Sequence, residues 1–314
     1  MKRFLTLICA AMMASATSVV AAGYPEKPVK LIVPAKAGGA LDTVARLISV
    51  QLEETLGVPF PVVNVKGGAS AIGIRQADDA DQDGYTMLVT HQQMLVIGAS
   101  GLLGFNPLDK FDGVGQTGLM ENYLVSYKGA PFSNISELKA YAAANPGEVN
   151  AGVNIGGLGH LVMLQIADGL GADFNYVNVP GGGAAKLKSL LGEFTQVAIL
   201  GKGKFAGRDE LVPLAVLADE RSAAVPDTAS AGEEDFPARF QLAFWWMMGK
   251  GVPAEAKSVI EQALGDIMAK ESVQAEFVER GIDAPLHLNA AETSASLDEQ
   301  MANYAASVSA ISGN

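Results

Sequence analysis

Four times in this chain an apolar run of strand length ends in a glycine turn and gives way to helical spacing. In the first, residues 31–33 are the strand, and Pro34 ends it because proline has no ladder donor. Gly38-Gly39 makes the turn, and Leu41, Val44, Ala45 and Ile48 follow at helical spacing. The second passes from residues 60–65 through Gly67-Gly68-Ala69-Ser70 to Gly73. The third passes from 149–153 through Asn154-Ile155-Gly156-Gly157-Leu158-Gly159-His160 into a helix over 161–170. The fourth passes from 174–179 through Pro180-Gly181-Gly182-Gly183 into a helix over 184–191. A further strand, 84–90, delivers Thr90, His91, Gln92 and Gln93 at its carboxyl end. Such alternation demands parallel sheets covered by helices, an α/β architecture, with ligands outside the strands' carboxyl ends.

The turns have chemistry of their own. Glycine lets the backbone approach a ligand closely, and a helix start offers unpaired N–H groups at the positive end of its dipole. An anion fits there; an ordinary packing turn is the plain alternative. The backbone donors expected are Ala37, Gly38, Gly39, Gly68, Ala69, Ile155 and Gly156, with Gly159 and Gly181 in the later turns. Ser70, His91, Gln92, Asn154 and His160 are the side-chain candidates. Asp42, counted with the ligand-site residues, reads two ways, as a catalytic acid or as a brace on the Gly38–Gly39 turn from the first turn of its helix.

Composition narrows the class. Met1-Lys2-Arg3, an apolar run from Phe4 and the small-residue end at Ala22 read as a signal peptide over 1–22, with no later run of membrane-helix length. Cys9 is the only cysteine and lies in that leader, so disulfides, thiolate metal sites and a cysteine nucleophile are excluded from the mature chain. The net charge is −12, and losing Lys2 and Arg3 takes it to −14. Such a surface repels nucleic acid and anionic lipid, so an anion site must rely on local donors.

Other motifs weigh little. Gly113-Val114-Gly115-Gln116-Thr117-Gly118 has the dinucleotide spacing but neither the strand before it nor the helix after it, and residues 105–118 read as loop. Lys202 in Gly201-Lys202-Gly203-Lys204 is a possible partner for a ligand carboxylate. The three histidines are far apart with no metal-binding spacing, and His287 reads as surface. Trp245 and Trp246 read as interdomain core before binding platform. Helices are expected over 136–144, 253–270, 272–280 and 292–311, with strands over 196–200, 211–217 and 240–248.

One ordered set of residues is more specific than any single motif. It comprises Tyr24-Pro25 with Lys27-Pro28, Leu31-Ile32-Val33-Pro34 with Gly38-Gly39 and Asp42, and Asp83-Gly84-Tyr85-Thr86. It continues through the Gly156–His160 turn, Val179-Pro180 with Gly182-Gly183, and Leu190-Leu191-Gly192. This order resembles the extracytoplasmic solute receptors of tripartite tricarboxylate transporters over essentially the whole mature chain. The resemblance implies a type II periplasmic-binding-protein fold, two doubly wound α/β domains joined by a hinge of two crossover strands. The implied domains are 23–125 with 240–314, and 126–239. Two departures stand out: Pro180 runs directly into Gly181 where the family carries Tyr-Lys, and Gln196 stands where an acid is common. A less acidic pocket favours a second ligand carboxylate over an amino acid.

The expected protein is therefore a monomeric periplasmic receptor, cleaved near Ala22. It closes on a small carboxylate, di- or tricarboxylate favoured, and delivers it to membrane permease subunits. Neither enzyme activity nor a cofactor, metal or nucleic acid is expected. The rival readings are a secreted serine-type hydrolase built on Ser70 and a ligand sensor for a membrane signalling partner.

Overall fold

The computed structural model describes residues 23–236 and 238–312. The expected signal peptide lies outside the described residues. The chain forms β1 (Lys30–Val33), α1 (Ala40–Leu56), β2 (Val62–Asn64), α2 (Ala71–Asp78), β3 (Thr86–Thr90) and α3 (Gln93–Ala99). Then come β4 (Phe111–Tyr127), α4 (Ile135–Ala144), β5 (Val149–Val153), α5 (Leu158–Leu170), β6 (Phe174–Asn178), α6 (Gly183–Leu191), β7 (Val197–Gly201) and β8 (Leu211–Val216). It closes with β9 (Gln241–Gly249), α7 (Ala254–Met268), α8 (Glu271–Glu279), β10 (Ala284–Leu288) and α9 (Ala290–Ser312).

The first unit shows why the sequence folds this way. Leu31, Ile32 and Val33 are fully buried, so β1 is covered on both faces, as a parallel strand requires. α1 buries Leu41, Val44, Ala45, Leu47, Ile48 and Leu52 along one face. Each large side chain so buried contributes about 1.5–3 kcal/mol. Gly57 ends the helix in the left-handed conformation at φ 74° and returns its N–H to the Glu53 carbonyl.

β1 lies between β2 and β3, parallel to both, and β3 pairs antiparallel with β9. In the other half β5 lies parallel to both β6 and β7. β4 joins the two halves. Its first part, Phe111 to Glu121, pairs with β9, and its second part, Asn122 to Tyr127, pairs with β7 and β8. The whole order is β2-β1-β3-β9-β4-β7-β5-β6, with β8 and β10 also on β4.

β4 corrects the loop expected over 105–118, because it begins at Phe111. Gly113 and Gly115 are packing sites, not turn signals. A Cβ at Gly113 would lie 2.7 Å from Thr293 Cγ2 of α9, and one at Gly115 would lie 3.0 Å from Leu264 Cδ1 of α7. Helices cross the strand where side chains are missing. The strand breaks register between Gly113 and Gly115 and again between Gln116 and Leu119.

Trp245 and Trp246 are fully buried neighbours on β9. They face opposite sides of the sheet, as strand alternation requires, and join separate core clusters. Their indole N–H groups donate to Gln116 Oε1 at 2.9 Å and Thr117 Oγ1 at 2.7 Å on β4. They are core residues and form no platform. His287, read as surface, is half-buried on β10, and its Nε2 has no hydrogen-bond partner among the described residues.

Candidate functional site

Strand carboxyl ends from both halves bring their turns together. Ser70 Oγ donates to the Pro34 carbonyl at 2.9 Å, tying the β2–α2 turn to the β1–α1 turn. A Cβ at Gly181, after β6, would lie 3.6 Å from Lys36 Nζ, so the β1–α1 turn reaches the other half. The amide N–H of Leu158, the first residue of α5, donates to Gln93 Oε1 at 2.8 Å. That bond joins the β3–α3 and β5–α5 turns.

The β1–α1 turn is braced from within. Gly38, at φ 78°, gives its N–H to Asp42 Oδ2 at 2.8 Å. Asp42 is only 3% exposed and also accepts from Arg46 Nε and from Asn64 Nδ2. Burial alone would raise the carboxyl's pKa. The hydrogen bonds from Arg46, Gly38 and Asn64, with the Arg46 charge, outweigh it and hold the group below the usual carboxylate range.

The β2–α2 turn is strained. Gly67, Gly68, Ala69 and Ser70 all have positive φ, at 127°, 55°, 52° and 86°. For Ala69 and Ser70 such conformations cost about 1–3 kcal/mol each and persist only when surroundings enforce them. The Ser70 hydroxyl bond and the Ser70 N–H to Gly67 carbonyl bond supply that enforcement.

The β5–α5 turn has its own capping set. Ile155 N–H donates to Asn178 Oδ1, and Gly156 N–H donates to His160 Nδ1 at 3.2 Å. The His160 ring stands edge-on to Tyr176 at 5.1 Å, and burial lowers its pKa. His91 Nδ1 accepts the Gln93 N–H at 3.1 Å, which leaves the ring proton on Nε2. Burial pushes its pKa down to about 4, so the ring is neutral at physiological pH.

Unpaired donors remain. The amides of Ala37, Gly68, Ala69, Gly159 and Gly181 meet no acceptor among the described residues. A Cβ at Gly159 would lie 2.9 Å from Lys186 Nζ. Neither Lys36 nor Lys186 is in an ion pair with a described acid. An anion is the chemistry this arrangement accepts.

A model for the tripartite tricarboxylate transporter family receptor matches residues 44–311. The chain belongs to this receptor family. Protein BugT of Bordetella pertussis is 27% identical to the receptor over 277 residues, covering 85% of this chain and 84% of its own. Two solved proteins of Rhodopseudomonas palustris share the fold. One, solved with adipate, superposes at a TM-score of 0.81 with 22% identity over 91% of this chain and 98% of its own. The other, MatC with bound malate, superposes at 0.80 with 22% identity over 91% of this chain and 100% of its own. The α/β periplasmic-binding-protein fold expected from the sequence is thus the fold of the receptor.

Several expected contacts are spent inside the receptor. The amides of Gly38, Ile155 and Gly156 are taken by Asp42, Asn178 and His160. Gly39 N–H makes a long 3.4 Å bond to the Lys36 carbonyl. The Ser70 hydroxyl is taken by Pro34. Gln92 does not enter the turns at all. Its Nε2 donates to the Gln241 carbonyl and its Oε1 accepts the Ala243 N–H, so the side chain extends the β3–β9 ladder. Asn154 is exposed at the rim, and its carbonyl accepts the Gly157 N–H. Lys202, weighed as a ligand contact, is instead paired with Asp283 at 2.6 Å. Gln196 Oε1 accepts the Asn150 N–H at 2.6 Å between β7 and β5, so that departure from the family braces the sheet. Gln93 was legible only as a residue at a strand's carboxyl end, not as the partner of Leu158, and nothing local marks Lys186, which meets Gly159 only in the fold.

A separate cavity of about 800 Å³ lies among β4, β9, α5 and α9 and shares only Gln92 with the expected site. Its two arginines are committed, Arg221 to Glu233 and Arg239 to Asp219. It offers an anion less than the turns do.

Proposed function

We propose that this receptor closes on a small carboxylate, di- or tricarboxylate favoured, and delivers it to the permease of a tripartite transporter. The observation that carries the reading is the convergence of unpaired amides with two lysines, Lys36 and Lys186, that no described acid neutralises. The amides of Ala37, Gly68, Ala69, Gly159 and Gly181, the His91 Nε2–H and the two ammonium groups are the candidate ligand contacts. Asp42, Ser70 and His160 hold the turns in shape. The malate and adipate of the two fold relatives are both dicarboxylates, which supports the ligand class.

Mechanism follows from the hinge. The halves, 23–125 with 240–314 and 126–239, turn about β4 and β9. A ligand that touches turns of both halves stabilises the closed state by its extra contacts there. The closed form is the one a permease recognises. The receptor works as a monomer in the periplasm. The hydrolase reading has no support from Ser70, whose hydroxyl faces a carbonyl and meets no imidazole among the described residues.

A thermal-shift screen against mono-, di- and tricarboxylates and amino acids tests the reading. A ligand at a hundredfold excess over its Kd adds about 2.7 kcal/mol of stability, a shift of several degrees. Stabilisation confined to carboxylates is expected. A shift with amino acids alone, or none in protein free of co-purified ligand, overturns it.

A further inference from the structure

Three features meet at the start of α5. The helix runs 13 residues from Leu158, has no acid in its first turn, and presents the unpaired Gly159 N–H. Its N-terminus therefore carries uncompensated partial positive charge. Lys186 brings a full positive charge to the same place, with its Nζ 2.9 Å from the position of a Gly159 Cβ. No described residue pairs with it. Burial lowers its pKa to about 8, the mark of a cation removed from water without compensation. Gln93 is the third feature. It is 8% exposed, its Oε1 is fixed on the Leu158 N–H, and its Nε2 is buried with no partner. A helix start, an ammonium and a carboxamide N–H₂ thus lie about one turn, and no acceptor among the described residues pairs with their free donors.

We propose that Lys186 is a specificity-determining residue: with Gln93 and the first turn of α5 it holds a second carboxylate of the ligand. This rests on the carboxylate-receptor reading above and narrows it. A ligand ending there in an ammonium meets Lys186 as a like charge, and one ending in a neutral group leaves the lysine uncompensated. The receptor therefore selects acids with at least two carboxylates over monocarboxylates and amino acids.

Calorimetric titration of the chain from Gly23 with succinate, glutarate, adipate, malate and citrate tests this. Each acid that binds is then compared with its derivative esterified at one carboxylate. The variant is Lys186→Met, which keeps the length of the side chain and removes its charge. Expected is a loss of tenfold or more for the free acid in the variant, with the tightest-binding monoester changed less than twofold. Equal losses for acid and monoester, or a monoester that binds the wild type as tightly as its acid, overturn the role of Lys186 and leave the receptor reading standing. Absence of binding by any carboxylate, mono-, di- or tri-, overturns both. The unliganded variant supplies a second readout. Its unfolding temperature is expected to match or exceed that of the wild type, since an unpaired, half-buried charge has gone. A fall of several degrees contradicts a lysine that lacks a partner in the protein.

Discussion

The side-chain oxygen of Gln93 accepts the Leu158 amide N–H at 2.8 Å, and so joins a helix start in one half of the receptor to a helix start in the other. The Nε2 of the same side chain is buried and has no hydrogen-bond partner among the described residues. Gln93→Glu separates the two roles. The carboxylate keeps an acceptor for Leu158 but puts a negative charge where a donor stood. The variant is expected to fold and to lose carboxylate affinity at least tenfold, about 1.4 kcal/mol. Calorimetry on the purified variant decides it; undiminished affinity would show that the Gln93 amide does not face the ligand.

Asp42 braces the turn only while ionised. Its folded pKa lies below the unfolded one, so its contribution is full above the unfolded value of about 3.9 and is lost as pH falls through the folded value. Asp42→Asn is expected to cost about 2 kcal/mol at pH 7, from three charge-assisted hydrogen bonds made weaker. Denaturant unfolding at pH 7 and pH 3 should show the gap between variant and wild type shrinking in acid.

His91 works over a different range. Its folded pKa of about 4 lies below the unfolded value of about 6.5, so the unfolded chain binds the proton first as pH falls. Stability present above pH 6.5 is lost between about 6.5 and 4, on the order of 3 kcal/mol. His91→Asn is expected to flatten that part of the profile. An unfolding-temperature profile that keeps its full slope in the variant would place the loss elsewhere.

Gly73 leaves room for a backbone contact. A Cβ there would lie 2.7 Å from the Val65 carbonyl and 2.8 Å from Pro34 Cβ. Gly73→Ala is expected to destabilise by about 1–3 kcal/mol through overpacking, despite the better helix propensity of alanine. Chemical denaturation measures it, and a stabilised variant would mean that α2 moves away from the sheet at little cost.

Much of this architecture was legible in the sequence. The β1–α1 unit could be read because its apolar run, glycine turn and helical spacing are local and reinforce each other. β4 could not, because Gly113 and Gly115 look like turn signals until α9 and α7 are seen packed over them. The candidate site divides the same way. Its turns were visible, since glycine next to a helix start is a local pattern. Which amides stay unpaired was not visible, because Asp42, Asn178 and His160 each reach a specific N–H only in the folded turn. Gln92 and Gln93 are neighbours with the same side chain, yet one completes a sheet and the other crosses the cleft. Strand and helix geometry at that junction separates them, and spacing alone does not.

In the proposed mechanism a small carboxylate draws the two halves together. Cys9 is the only cysteine, so a chain starting at Gly23 takes spin labels only where cysteine is introduced. Ile72 and Leu191 are exposed, at 52% and 42%, on opposite halves. Pulsed electron resonance between labels at these two positions measures the separation directly. A saturating dicarboxylate is expected to shift the distances to a single, narrower population. A distribution unchanged by mono-, di- and tricarboxylates alike would contradict it.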